Sequence, residues 1–193
     1  GNVLACAKHF PGHGDTTKDS HFDLPIIKKS VNDMRDCEFI PFVKAVKSRV
    51  EFVMMAHLIV DDIDAELPTS LSPAAYKILR DELRFTKLAI TDDMQMKAID
   101  DRYSVEEAAV MAINAGADIV EYKDMEYAKR ALSGLKAAKK EGRLSAELIT
   151  ERYDRIMETK ERCLKDYNPI YIPELSKKIN IPKSKAFIEG LTE

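Results

Sequence analysis

The chain has 193 residues, of which 45% are hydrophobic, and this is enough for one sizeable folded domain. Its formal net charge of -3 provides no basic field of the kind that binds nucleic acid. No run of about 18 apolar residues is long enough to cross a membrane, and three widely separated cysteines do not form a disulfide framework.

The first predicted element is a buried strand over residues 3–7, an apolar run of suitable length and residue type. The loop over residues 8–25 follows it and reads KHFPGHGDTTKDSHFDLP. It contains three of the four histidines of the chain. Loops at the ends of buried strands carry polar chemistry on a rigid base, so this loop is the first candidate for a functional site.

Asp19 and His21 are the most informative pair in this loop. Two residues apart in an extended segment, their side chains point the same way. The carboxylate can then fix the tautomer of the imidazole, which makes His21 a candidate general acid/base near neutral pH. Two alternatives stay open: an aspartate that caps its own loop beside an unrelated histidine, and a metal site whose spacing matches no zinc pattern.

Two elements are predicted after this loop. Apolar spacing predicts one helix over residues 30–46. A short apolar run over residues 52–57 predicts a second buried strand, which ends in His57. From the residues alone, His57 is equally well explained by a hydrogen bond to a neighbouring loop.

The third strand carries the second candidate for chemistry. Ser72, followed by a proline, is typical of a helix start and predicts a helix to about residue 82. A strand over residues 88–91 then ends in Asp92 and Asp93. Neighbouring side chains of a strand point to opposite faces, so only one of the two acids can face a site.

The rest of the chain repeats the alternation of strand and helix. Ser104 opens a capping box and Gly116 ends the helix that follows it. A short strand is predicted at residues 119–120, with helices near residues 125–140 and 145–165. Four strand-helix units in succession indicate an α/β fold with a parallel sheet, and the chain has no Gly-rich nucleotide-binding motif.

The loop over residues 8–25 resembles a segment of the glycoside hydrolase family 3 β-N-acetylhexosaminidases of the NagZ type, whose pattern is KH[FI]PGHG, a spacer, then DSH and a nearby Pro. The matching residues are Lys8, His9, Pro11, Gly12, His13, Gly14, Asp19, Ser20, His21 and Pro25. The resemblance implies that His21 is the acid/base and Asp19 its dyad partner. It also implies that Lys8, His9 and His13 bind the sugar and that His57 forms a pocket wall.

A second segment, ITDDMQM, resembles the nucleophile motif [ST]-D-[DA]-[LM]-x-M of the same family. The resemblance assigns the nucleophile to Asp92, a supporting place to Asp93 and a substrate contact to Met96. A retaining glycosidase needs such a carboxylate on one face of the sugar. Without the resemblance, an acidic turn at a strand end would be the simpler interpretation.

The resemblance also implies the fold. A TIM barrel has eight strand-helix units in about 250 residues, whereas this chain has four, which correspond to strands five to eight. We therefore expect residues 1–165 to form the C-terminal half of the barrel and residues 166–193 to be a linker toward a possible second domain. The missing half would come from the same parent chain or from another chain.

The expected activity is that of a retaining exo-β-N-acetylglucosaminidase acting on cell-wall or chitin-type sugars, with no metal and no cofactor. A phosphorylase or β-glucosidase of the same family is the alternative, although the DSH triplet argues against an ordinary β-glucosidase. An inactive half-barrel fragment is the alternative of another class. Because the sequence begins with Gly1 and not Met, the lack of a visible signal peptide assigns no localisation.

Overall fold

The structure is a computed structural model that describes residues 3–13, 24–165, 168, 173, 175, 179 and 181–191. Its centre is a parallel sheet of four strands in the order β1-β3-β5-β6. These strands are β1 (Cys6–Phe10), β3 (Phe52–Met55), β5 (Leu88–Asp93) and β6 (Ile119–Glu121). The predicted α/β fold with a parallel sheet is therefore confirmed.

A second sheet was not predicted from the sequence. It consists of two parallel strands of two residues each, β2 (Ile26–Ile27) and β4 (Ile59–Val60). Strands this short show no periodicity that a sequence window can detect. The pair joins the end of the long loop to the segment after β3.

The first strand begins later than predicted. Val3 is 86% exposed and Cys6 is also exposed, so the apolar run over residues 3–7 is not a buried strand. Phe10 is fully buried instead, with its ring centroid 5.5 Å from that of Phe39 and 5.2 Å from that of Phe42. Burial of Phe10 places the strand further toward the carboxyl end, so three residues of the predicted loop, Lys8, His9 and Phe10, belong to β1.

The helix predicted over residues 30–46 is two helices, α1 (Val31–Asp36) and α2 (Phe39–Lys47). Pro41 explains the break. In one continuous helix its ring would clash with the carbonyl of Cys37, whereas in α2 it lies in the first turn, where a missing N–H costs nothing. The Ser30 hydroxyl oxygen caps α1 by accepting from the N–H of Asp33.

The predicted capping residues are confirmed. The hydroxyl oxygens of Ser72 and Ser104 accept from the N–H groups of Ala75 and Glu107, at the starts of α3 (Pro73–Lys77) and α5 (Val105–Ala115). A π-helical segment, Ile78–Glu82, extends α3, and α4 (Lys97–Asp100) is a short helix that was not predicted. The remaining helices of the described residues are α6 (Met125–Lys140), α7 (Ala146–Leu164) and α8 (Pro182–Glu189).

Gly116, which was predicted to end a helix, does so in the structure. Gly116 ends α5 with a φ of 139°, and a Cβ there would lie 2.7 Å from the Cβ of Tyr76, so only glycine fits. The segment over residues 166–193 stays a predicted linker, and within it α8 is a helix without buried residues. Pro182 at its first turn is a typical helix start.

The two faces of the sheet differ in burial. Val53 and Met55 of β3 are fully buried in the core on the helix-covered face. Met54, Ile90 and Ile119 form a row of paired positions on the other face and are only half-buried. Among the described residues, no helix has both the length and the apolar character needed to span a membrane.

The buried carboxylate of Asp118 connects the amino end of the sheet to the helices through a hydrogen bond and ion pairs. The Asp118 side chain is fully buried and accepts from the N–H of Ala89 at 2.7 Å. Arg80 donates to it at 2.6 Å, Arg155 makes a second, shorter ion pair, and Arg152 Nε lies 3.8 Å away. Three guanidinium groups therefore share one carboxylate below the sheet.

Candidate active site

The carboxyl ends of the four parallel strands meet at one edge of the sheet, and this edge collects polar side chains. His9 on β1 and Asp92 on β5 approach each other, with His9 Nε2 3.4 Å from Asp92 Oδ2. Their side chains are 29% and 21% exposed, so both remain accessible to a ligand. The structure thus brings together two residues that are 83 positions apart in the sequence.

Asp92 and Asp93 have different surroundings. Oδ1 of Asp92 accepts from the N–H of Asp93 at 2.9 Å, and its other oxygen faces His9. The Asp93 carboxylate accepts from the N–H of Gln95 at 3.0 Å and lies 3.7 Å from Lys123 Nζ. Asp93 therefore stabilises the turn after β5, while the Asp92 oxygen beside His9 is directed to the strand-end edge.

Glu121 is a third carboxylate at this edge, and it was not predicted from the sequence. Its N–H donates to Thr91 Oγ1 at 3.0 Å and its carbonyl accepts from the N–H of Met94 at 3.0 Å. Burial, together with the negative charges of Asp92 and Asp93, raises the pKa of Glu121, and the charge of Lys8 partly offsets this rise. The predicted strand, residues 119–120, ended just before Glu121. The prediction therefore did not place this carboxylate at the end of a strand.

The other predicted site residues are distributed around this edge. Lys8 is exposed on β1. The ring centroids of His9 and His13 are 6.0 Å apart, with an interplanar angle of 64°. Met96 is half-buried, and its N–H donates to the Asp93 carbonyl at 3.0 Å. The predicted dyad of Asp19 and His21 lies outside the described residues.

His57 follows β3 directly and is only 1% exposed. Its Nδ1 lies 2.7 Å from Ser70 Oγ and its Nε2 lies 3.1 Å from the carbonyl oxygen of Asp93. Of the two interpretations of His57, the structure favours the hydrogen bond to a neighbouring loop, because a side chain this buried is not a pocket wall. Burial lowers the pKa of His57 to about 4, although the nearby Asp92 and Asp93 oppose this shift.

Acid should destabilise the fold through His57. The unfolded chain takes up a proton at this residue below a pKa of about 6.5, whereas the folded chain does so only near pH 4. The free energy of unfolding should thus fall by about 3 kcal/mol as the pH drops from 6.5 to 4, and His57 should add no further loss below that. Urea unfolding at several pH values measures this fall in the free energy of unfolding.

The control for this prediction is His57→Gln, which removes the titrating group and leaves the surrounding carboxylates in place. Between pH 6.5 and 4 its stability should depend less steeply on pH than that of the wild type. Equal slopes for the two proteins would contradict a neutral, buried His57.

Within the described ranges, no group of three or more His, Cys, Asp or Glu side chains is placed to hold a metal ion. The arrangement instead offers a carboxylate oxygen beside an imidazole, with further charged groups around them. Such a pair can present a carboxylate to an electrophilic carbon and bind hydroxyl groups next to it.

The chain is similar to known proteins over most of its length. Residues 1–159 match the profile described as the glycosyl hydrolase family 3 N terminal domain. A β-hexosaminidase of Thiobacillus denitrificans is 34% identical over 118 residues, which are 61% of this chain and 33% of that protein.

Solved structures are similar over most of the chain. A glycoside hydrolase family 3 β-N-acetylglucosaminidase from Paenibacillus sp. has a TM-score of 0.84 and 38% identity, covering 88% of this chain and 33% of that one. The β-N-acetylglucosaminidase from Thermotoga maritima has a TM-score of 0.75 and 28% identity, covering 86% and 36%. The chain spans about a third of the length of these relatives.

Proposed function

Because the chain belongs to glycosyl hydrolase family 3, we propose that it carries the catalytic residues of a retaining exo-β-N-acetylglucosaminidase. The substrate class is terminal β-linked N-acetylglucosamine in cell-wall or chitin-type sugars. The observation that carries this proposal is the Asp92 carboxylate, which lies at the carboxyl end of β5 with one oxygen held by a backbone N–H and the other 3.4 Å from His9. The names of the similar enzymes support the substrate class.

The proposed mechanism has two displacements. An Asp92 oxygen attacks the anomeric carbon while the bond to the leaving oxygen breaks, and His21 gives its proton to that oxygen. A water molecule then attacks the glycosyl-enzyme, with His21 taking back a proton and Asp92 leaving as a carboxylate. Asp19 orients His21, and the sugar-binding role falls to Lys8, His9, His13 and Met96.

We further propose that the chain supplies strands five to eight of a TIM barrel, within residues 1–165, and that residues 166–193 lead toward a possible second domain. In the described residues, β1 and β6 each pair with one neighbour in the sheet. The half-buried row of Met54, Ile90 and Ile119 would be covered when four further strands close the barrel. Those strands would come from the same parent chain or from another chain.

Residues 1–193 alone should be inactive on an aryl β-N-acetylglucosaminide, because the pocket would lack every side chain from four strand ends that orient the sugar. They should also associate, because open strand edges and exposed apolar faces pair with other copies. Turnover and light scattering on residues 1–193, beside a longer protein in which four strand-helix units precede them, measure both effects.

A monomeric and fully active 193-residue protein would contradict the half-barrel proposal. In the longer protein, an aryl β-glucoside should be a much poorer substrate than the N-acetylglucosaminide, and the reverse preference would contradict the substrate assignment. Added phosphate distinguishes the alternative, since a phosphorylase would release N-acetylglucosamine 1-phosphate in place of the free sugar.

A further inference from the structure

We infer that His57 is a positioning residue, which holds the backbone of Asp93 and thereby the direction of the Asp92 carboxylate. This inference rests on the proposed function of Asp92 as nucleophile. The side chain of His57 is only 1% exposed, so a direct contact with the sugar is not the basis of this role. It would act only through the turn that follows β5.

The hydrogen bonds of His57 assign its tautomer. The carbonyl oxygen of Asp93, 3.1 Å from Nε2, can only accept, so Nε2 must carry the proton. Nδ1 of the neutral ring is then the acceptor, and the Ser70 hydroxyl donates to it across 2.7 Å. Both ring nitrogens are thus satisfied in one orientation, which leaves the buried ring no equivalent alternative.

Ser70 is itself fixed, so the ring rests on a rigid support. Its N–H donates to the carbonyl of Ala56 at 3.1 Å, and its own carbonyl accepts from the Tyr76 hydroxyl at 3.1 Å. Thr69, next to it, donates from its hydroxyl to the same Ala56 carbonyl at 2.8 Å. Residues 69–70 are therefore hydrogen-bonded to the end of β3 and to α3, in addition to their contact with His57.

Asp93 transmits this constraint to Asp92. Its carbonyl accepts from His57 Nε2 at 3.1 Å and from the N–H of Met96 at 3.0 Å. Its N–H donates to Asp92 Oδ1 at 2.9 Å, which leaves Oδ2 on the side of His9. A nucleophile must approach its carbon within a narrow range of directions, so small rotations of this backbone reduce the rate.

A neutral donor suits this place better than a cation. Asp92 and Asp93 both lie close enough to His57 to affect its titration. A buried cation there would attract the Asp92 carboxylate and reduce its nucleophilicity, whereas the neutral imidazole orients the turn without adding a charge. Burial lowers the pKa of His57 to about 4, so the ring is neutral near neutral pH.

The tautomer can be measured in the longer protein in which four strand-helix units precede this chain. Nitrogen-15 NMR of labelled histidine, assigned by loss of the signals in His57→Gln, should show a neutral ring with the proton on Nε2 from pH 5 to 8. A proton on Nδ1, or a charged ring at pH 6, would overturn the inference.

The catalytic consequence is tested in the full-length protein that contains the chain, with two variants. His57→Gln can keep an N–H near the position of Nε2 and should retain most of the wild-type kcat. His57→Asn is too short to reach the Asp93 carbonyl, so its kcat should fall about a hundred-fold with KM unchanged. Covalent labelling of Asp92 by a fluorinated N-acetylglucosaminyl inactivator should slow in parallel.

Leu144→Ala is the control for a loss of stability alone. Leu144 is buried against Val110 and Ala138, in a helical cluster away from the strand-end edge. This variant should unfold at a lower temperature with an unchanged kcat. Equal kcat values for His57→Asn and His57→Gln would refute a positioning role, whereas a wild-type protein without turnover or labelling would refute the proposed function instead.

Discussion

Replacing Asp92 with alanine should reduce turnover of an aryl β-N-acetylglucosaminide by about ten-thousand-fold in the complete enzyme. Without this carboxylate no glycosyl-enzyme can form. The fold should persist, because the Asp92 side chain is partly exposed and, among the described residues, its polar contacts are the N–H of Asp93 and His9. Steady-state kinetics measure the first effect and thermal unfolding the second.

Asp93→Asn is the matched control for the nucleophile. An asparagine oxygen can still accept from the N–H of Gln95, so the turn after β5 should hold and most of the activity should remain. Mass spectrometry after treatment with a fluorinated inactivator should find the sugar on Asp92. A label on Asp93, or equal losses in the two variants, would reverse the assignment.

Replacing His21 with alanine should separate substrates by their leaving groups. Removal of a general acid costs about a hundred-fold to ten-thousand-fold where the leaving oxygen needs a proton. Aryl substrates with acidic phenols need little protonation, so they should be cleaved at nearly the wild-type rate until the second step limits turnover. Kinetics with a series of phenols measure this dependence.

Asp19→Asn should show the same trend to a smaller degree, because the imidazole would remain while its orienting charge would be lost. An equal loss for good and poor leaving groups in His21→Ala would indicate that His21 only shapes the pocket.

Local signals predicted the elements of this fold well. Ser72 and Ser104 marked helix starts correctly because a cap depends on a few neighbouring residues. Pro41 is also a local signal, for the break between α1 and α2. The prediction followed the apolar spacing around it instead and gave one continuous helix. The start of β1 could not be predicted from neighbouring residues, because the burial of Phe10 depends on distant side chains of α2.

The candidate site divides in the same way. Asp92 and His9 stood in recognisable motifs, and both lie at the predicted edge of the sheet. Glu121 was missed because its place beside β5 depends on the register of two strands, which pairs it with Asp93. His57 was noticed, but its partners Ser70 and Asp93 are 13 and 36 residues away, and nothing in the sequence selects them.

The carboxylate of Asp118 restricts the order in which it and its three arginine partners can be replaced during evolution. A change at Arg152 leaves Asp118 with the closer ion pairs of Arg80 and Arg155, so it is an accessible first step. Loss of Asp118 first would leave three guanidinium groups in mutual repulsion and the N–H of Ala89 without its acceptor. Lineages that abandon this cluster should therefore have lost arginines before they lost the aspartate.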